Sequence, residues 1–264
     1  MVDANQRAII VGGKTSVQPG DVANRLVRWF YQRLILPHVS DALVLQRIKL
    51  AWFVWGYWRI LHHPIMLFKF LRVDWNVIHS HTPAEIAIIA ADIERKPEGS
   101  LFIEAGCWNG GSSCKFSLLC KRYGYFLHIY DSFEGVEDVS KVAGEWNYTG
   151  QYRASQSTVK ANLARYGAIA VSTFHAGWFK DTLALGVCGV VAECYIDCDT
   201  SKGTFEVLSG VVPSLSKSGV IFSQDYHITP VVNLLRSSET WARLERASPL
   251  IEQEGRRLAK IWWK

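Results

Sequence analysis

Residues 102–113 read FIEAGCWNGGSS. A hydrophobic run ends in an acid, Glu104, and a turn holding Gly106, Gly110 and Gly111 opens into small polar residues. The run is strand-like, and the segment after it, SSCKFSLLCKRYG (112–124), is helix-like and closed by Gly124. Glycines at such a turn let the chain bend sharply and let a ligand approach the backbone. The free N–H groups of the helix start favour a carboxylate or phosphate there. The spacing is G-x-x-x-G-G, not the G-x-G-x-x-G of dinucleotide sites. On its own the turn is explained as well by tight packing as by a ligand.

Outward from this unit, strands and helices alternate. YFLHIYD (125–131), IAVSTFHA (169–176), VVAECYID (190–197) and SGVIFSQD (218–225) read as strands. SQSTVKANLARYG (155–167), GTFEVLSGVVPSL (203–215) and PVVNLLRSSETWARL (230–244) read as helices. PLIEQEG and RLAKIWWK form a closing hairpin turned at Glu254–Gly255, which brings the strand candidates to seven. Alternating β and α elements predict an α/β fold with a mainly parallel sheet covered on both faces. Ligands of such sheets bind beyond the carboxyl ends of the strands. The positions to inspect are therefore Glu104–Gly111, Asp131, His175–Gly177, Asp197–Asp199 and Gln224–His227. HTPAEIAIIAADIER (81–95) begins with a helix cap: Thr82 at the N-cap, Pro83 next and Glu85 at the third helical position.

The 264 residues, 49% of them apolar, suit one sizeable α/β domain with an extension. The net charge of +5 is unevenly placed. Through Trp75 there are ten Lys/Arg against four Asp/Glu, and the remainder holds nineteen against twenty. Five of the eleven tryptophans also fall in that first part. Residues 1–98 are read as a basic, Trp-rich helical extension, loose over 1–20 and broken near Pro37 and Pro64, and 99–264 as the domain that carries the chemistry. The GGKTS near the start lacks the first glycine of a phosphate-binding loop. Six cysteines without a CxxC pair exclude a zinc ribbon or redox motif. The first residues carry no basic-then-apolar leader pattern, so a cytoplasmic protein is expected. The apolar stretch between Lys49 and Lys69 is interrupted by Arg59, His62, His63 and Pro64. It reads as two buried or interfacial helices rather than a membrane span. Its Trp, Tyr and basic residues suit at most peripheral membrane contact.

Asp131 sharpens the opening stretch. It ends the second strand, where an acid can hydrogen-bond both hydroxyls of a ribose. DSFEG (131–135) is also the pattern of a turn that an Asp initiates. Glu104 would repel a pyrophosphate but suits a ligand with a cationic end. S-adenosylmethionine answers all three features, with a carboxylate for the helix start, an ammonium and sulfonium for acidic or aromatic neighbours such as Trp108, and a ribose for Asp131.

FIEAGCWNGGSS, YDSFEG, VKANLARYG, AGWFKDTL, YIDCDTSKGT and QDYH, in that order, resemble the motifs of the macrocin-type O-methyltransferases. These are class I, S-adenosylmethionine-dependent enzymes that act on sugars of natural products. The resemblance covers about 101–245 and implies a Rossmann-like fold with a seven-stranded sheet. It implies that Glu104, Gly106, Gly111 and Ser112 line the methionine end of the cofactor. Asp131 and Ser132 would hold the ribose and its surroundings, and Gly177 and Trp178 the adenine. Family members bind magnesium through an Asp after the fourth strand and an Asp–Asp pair after the fifth. The matching positions here are Asp197, Gln224 and Asp225, and Gln224 offers an amide oxygen without charge, so a weaker magnesium site, or none, is expected. TSKG (200–203) stands where the family carries an aromatic residue, and Lys202 suits an anionic substrate.

Methyl transfer needs acceptor oxygen, methyl and sulfur held in line and a group that takes the hydroxyl proton. Asp197 and His227 are the candidates for that group. Trp146, Tyr148 and Tyr152, in the long 132–153 loop, are candidates to stack on a sugar. The expectation is an O-methyltransferase of a sugar-like small molecule, associating with copies of itself. The competing reading is a catalytically inactive domain that docks on a membrane surface or a partner. The catalytic half has no dense basic stripe, which argues against nucleic acid.

Overall fold

The computed structural model describes residues 51–95, 98–138 and 147–264. The expectations for 1–50, the break at Pro37 among them, and for Trp146 lie outside these residues. Residues 51–56 are helical, and a 3-10 turn at Trp58–Ile60 precedes α1, Pro64–Asn76. The run from Lys49 to Lys69 is thus broken before Pro64, whose ring fits the first turn of α1. No helix among the described residues is long and apolar enough to cross a membrane. Helix α2, Pro83–Ile93, begins with the expected capping box: Thr82 Oγ1 accepts from Glu85 N, and Glu85 Oε2 accepts from Thr82 N.

The alternating part opens with β1, Leu101–Ala105, followed by α3, Gly111–Tyr123, and β2, Phe126–Asp131. Next come α4, Gln156–Tyr166; β3, Ser172–Ala176; a short α5, Phe179–Thr182; and β4, Val191–Ile196. Then follow α6, Ser201–Val211; β5, Leu215–Ser223; α7, Thr229–Arg236; α8, Ser238–Arg243; and the hairpin β6, Leu250–Gln253, with β7, Ala259–Trp262. The seven strands form one sheet in the order β3-β2-β1-β4-β5-β7-β6. The first five run parallel, and β7 pairs antiparallel with β5 and β6. This is the expected Rossmann-like, mainly parallel sheet. The chain reverses its direction of travel across the sheet between β1 and β4, where a crevice opens at the strand ends.

Strand period decides which layer each side chain joins. In β1, Phe102 enters one core cluster while Leu101, Ile103 and Ala105 enter the other. Leu127 and Ile129 of β2 and Phe222 of β5 join the first, with Tyr57, Phe70, Ile86 and Phe116 from the helical side. Ile221 of β5 joins the second, with Val207, Leu208, Val231 and Trp241 of α6–α8. All five residues of β1 are buried, as a central strand between two helical layers requires. Residues from Leu45 to Lys264 form one compact unit, and α1 and α2 share a core with the sheet.

Besides the helix read over 203–215, which ends at Val211, three element boundaries differ markedly from the sequence reading. Residues 169–171 form a 3-10 turn, so β3 begins only at Ser172. The helix expected over 230–244 breaks at Ser237, which is extended at φ −73°, ψ 122°. That break carries Trp241 back under α7, where its indole N–H donates to Leu235 O at 2.7 Å and the ring is buried. The third is β5, which starts at Leu215, three residues before the strand read from the sequence.

Candidate functional site

Four segments continue the sheet ladder past the strand ends and so meet at one edge. Gly106 N donates to Tyr130 O, Asp197 N to Ala105 O, Gln224 N to Ile196 O and Gly177 N to Asp131 O, all at 2.8–3.0 Å. The cleft above them is lined by Gly106, Trp108, Gly111, Ser112, Asp131 and Ser132, by Gly177 and Trp178, and by Asp197, Gln224, Asp225 and His227. The structure therefore brings together every predicted site residue except Glu104, which does not line the cleft.

The glycine turn is built on positive φ angles, 87° at Gly106 and 79° at Gly110. A Cβ on Gly106 would lie 1.9 Å from the carbonyl oxygen of Asp197, so this crossing of β1 and β4 ends admits glycine alone. Gly110 caps α3, whose first N–H groups have no acceptor in the helix. Glu104 is fully buried beneath the turn. Its Oε1 accepts from Ser112 Oγ at 2.5 Å, and its Oε2 has no partner. Burial pushes its pKa up to about 8, against the hydrogen bond from Ser112. The acid thus acts on the cleft through Ser112.

Asp131 makes the turn that its sequence allows and also holds the glycine turn. Oδ2 accepts from Cys107 N at 2.7 Å and Trp108 N at 3.3 Å, tying the glycine turn to β2. Oδ1 accepts from Phe133 N at 2.7 Å, the turn that DSFEG implied. Oδ1, with a single donor, keeps a second lone pair for a ligand hydroxyl. Trp108, at φ 45°, meets Tyr152 edge-on with centroids 5.3 Å apart, and Tyr148 meets Tyr152 at 5.8 Å. These rings form one aromatic wall. Trp178 caps α5 and bonds Thr182 Oγ1 through its carbonyl at 3.1 Å.

On the opposite wall Asp197, Asp199 and Asp225 converge, with carboxylate oxygens within 4.8 Å of one another. Asp199, one of the strand-end positions to inspect, was given no role from the sequence. It is aimed back by a left-handed φ of 60°, which a DxD spacing alone does not announce. Asp225 Oδ2 accepts from Cys198 N and Asp199 N at 2.9 Å, while its Oδ1 is buried without a partner. Asp197 Oδ2 accepts from Tyr195 OH at 3.2 Å. Burial and then repulsion by Asp199 push Asp197 up. Burial and then Asp197 and Asp199 push Asp225 well up, and burial raises Asp199. Gln224 is 1% exposed, and neither Oε1 nor Nε2 has a partner. Three carboxylates with too little positive charge beside them, one orphaned oxygen and a free amide oxygen fit a hard divalent cation.

Arg257 is the second residue that sequence reasoning missed. From the β6–β7 turn it donates to Ser80 O at 2.6 Å and to Glu85 Oε2 at 3.5 Å. Burial opposes its charge, yet Glu85 and Asp197 outweigh burial and hold it firmly protonated. His227 lies exposed at the rim. Partial desolvation, then Arg257 and Arg256, lower its pKa, which favours the neutral ring that can accept a proton. Lys202 is not free for an anion: it pairs with Glu137 at 2.5 Å and Glu206 at 3.6 Å.

Comparison with known proteins bears on the family and the fold. Over 137 residues the chain is 32% identical to the 8-demethyl-8-(2,3-dimethoxy-alpha-L-rhamnosyl)-tetracenomycin-C 4'-O-methyltransferase of Streptomyces olivaceus, covering 48% of this chain and 52% of that one. It is 27% identical over 143 residues to the demethyldecarbamoylnovobiocin O-methyltransferase of Streptomyces niveus, covering 48% and 53%. The chain thus spans about half the length of these curated relatives. In fold it is similar to the O-methyltransferase NovP, with a TM-score of 0.60 at 22% identity over 70% of this chain and 83% of that one. The sequence model of the Macrocin-O-methyltransferase (TylF) family matches residues 85–248, more than half of the chain, and the chain belongs to that family.

Proposed function

We propose that this protein is an S-adenosylmethionine-dependent O-methyltransferase whose acceptor is a hydroxyl of a sugar-like small molecule. One observation carries the reading: a glycine turn with an open helix start, a ribose-height acid and a carboxylate triad face each other across one cleft. Gly106, Gly111 and Ser112, with Glu104 behind, hold the methionine end of the cofactor. Asp131 and Ser132 hold the ribose, Gly177 and Trp178 flank the adenine, and Trp108 offers its face to the cationic sulfur. When bound, S-adenosylmethionine supplies a methyl group activated by its sulfonium.

The acceptor hydroxyl is placed on the triad side. Asp197 and Asp199 orient its O–H, and one of them or the neutral His227 takes the proton. Asp197, Asp199 and Asp225, with the amide oxygen of Gln224, would hold a divalent cation, which when bound would lower the pKa of that hydroxyl. The names of the two curated relatives, both O-methyltransferases of decorated natural products, support the substrate class. The inactive reading finds no observation in its favour, because the carboxylates and the glycine turn are all in place. Incubation with S-adenosylmethionine and a panel of glycosylated natural products, read by mass spectrometry with and without EDTA, tests the proposal. A gain of one methyl on a sugar hydroxyl is expected; no product on any hydroxylated acceptor, with cofactor binding verified, would overturn it.

A further inference from the structure

Buried groups that this chemistry leaves unused converge on Lys115 of α3. Its side chain is fully buried, and Nζ donates to Asp74 Oδ1 and to His81 Nε2, the latter at 2.6 Å. Asp74, in α1, also accepts from Tyr57 OH at 2.8 Å and pairs with His79 Nε2 at 2.8 Å. A buried ammonium is tolerated only when paired and hydrogen-bonded, and these two acceptors provide that. Lysine has no acceptor, so His81 Nε2 must accept and the ring proton stands on Nδ1. Burial, then Lys115 and His79, keep His81 far below its usual pKa and the ring neutral.

His81 is 6% exposed and lines the cleft. Among the described residues no hydrogen bond reaches its Nδ1. The same loop abuts the start of α3: a Cβ on Gly111 would lie 2.6 Å from His79 Cβ. One corner of the cleft therefore combines the open N–H groups of a 13-residue helix with a fixed imidazole N–H, backed by an ammonium. Helix-start N–H groups and an imidazole N–H together favour an anion.

We propose that His81, its proton held on Nδ1 by Lys115, binds the α-carboxylate of the cofactor's amino-acid end together with the start of α3, with Lys115 and Asp74 as positioning residues. This assignment rests on the proposed cofactor. Calorimetry with S-adenosylhomocysteine and with 5′-methylthioadenosine, which lacks the amino-acid end, tests it on the full chain with folding checked by thermal melts. His81→Phe weakens S-adenosylhomocysteine roughly tenfold to a hundredfold, the loss of a hydrogen bond to a charged group, and leaves 5′-methylthioadenosine within about twofold. His81→Asn keeps an N–H near the place of Nδ1 and restores most of the affinity. Lys115→Met shows the same ligand split at smaller size. Equal losses for both ligands, or unchanged binding of S-adenosylhomocysteine in His81→Phe, overturn the assignment. Wild-type protein that binds neither ligand removes the cofactor reading itself, and this assignment with it.

Discussion

Asp131 ends β2 with one carboxylate oxygen on the N–H groups of Cys107 and Trp108 and the other on that of Phe133. An alanine there removes three acceptor contacts as well as the proposed ribose partner, so two readouts move together. Asp131→Ala is expected to cost about 1–3 kcal/mol in urea unfolding and at least tenfold in S-adenosylhomocysteine affinity. Gly106 stands under a harder constraint. Gly106→Ala must displace the Asp197 carbonyl, which is expected to cost about 2 kcal/mol or more and to abolish measurable cofactor binding, checked by the same two measurements. Glu104 gives a pH signature. Its folded pKa is near 8 against 4.5 when exposed. The unfolded chain therefore loses this proton first, and the stability tied to it is complete below about pH 4.5 and lost as pH rises towards 8. The size is on the order of 5 kcal/mol. Unfolding at pH 5, 6, 7 and 8 is expected to show a decline in the wild type that flattens in Glu104→Gln; parallel curves would contradict it.

At the scale of elements, local pattern was legible where physics is local. The Thr82-x-x-Glu85 box, Gly110 before α3 and Gly124 after it are set by backbone groups within one turn, and each stands where the sequence places it. Thr82→Ala is expected to lower stability by about 1 kcal/mol, measured by denaturant titration. The break at Ser237 was not legible, because it serves the burial of Trp241 against α7, a tertiary contact that helical periodicity does not encode. Asp199 and Arg257 escaped for the same kind of reason. The first needs a left-handed backbone, and the second reaches Ser80, 177 positions away, from a hairpin turn that reads as ordinary punctuation.

For the whole molecule, the alternation of strands and helices was enough to place the binding edge, since a parallel sheet with a reversal between β1 and β4 leaves its crevice at the carboxyl ends. Among the described residues, those that line the cleft lie between Ile78 and Arg257, inside the unit that begins at Leu45. Removal of residues 1–44 is therefore expected to leave cofactor affinity within about twofold, measured by calorimetry; a larger loss would assign part of the site to the N-terminal segment. The central claim is that the glycine turn and Asp131 form the cofactor site of this family member. Its most direct test is equilibrium binding of S-adenosylhomocysteine to the wild type and to folded Asp131→Ala. Saturable binding by the wild type, weakened at least tenfold in the variant, is the predicted result; no binding by the wild type, or equal binding by both, would contradict it.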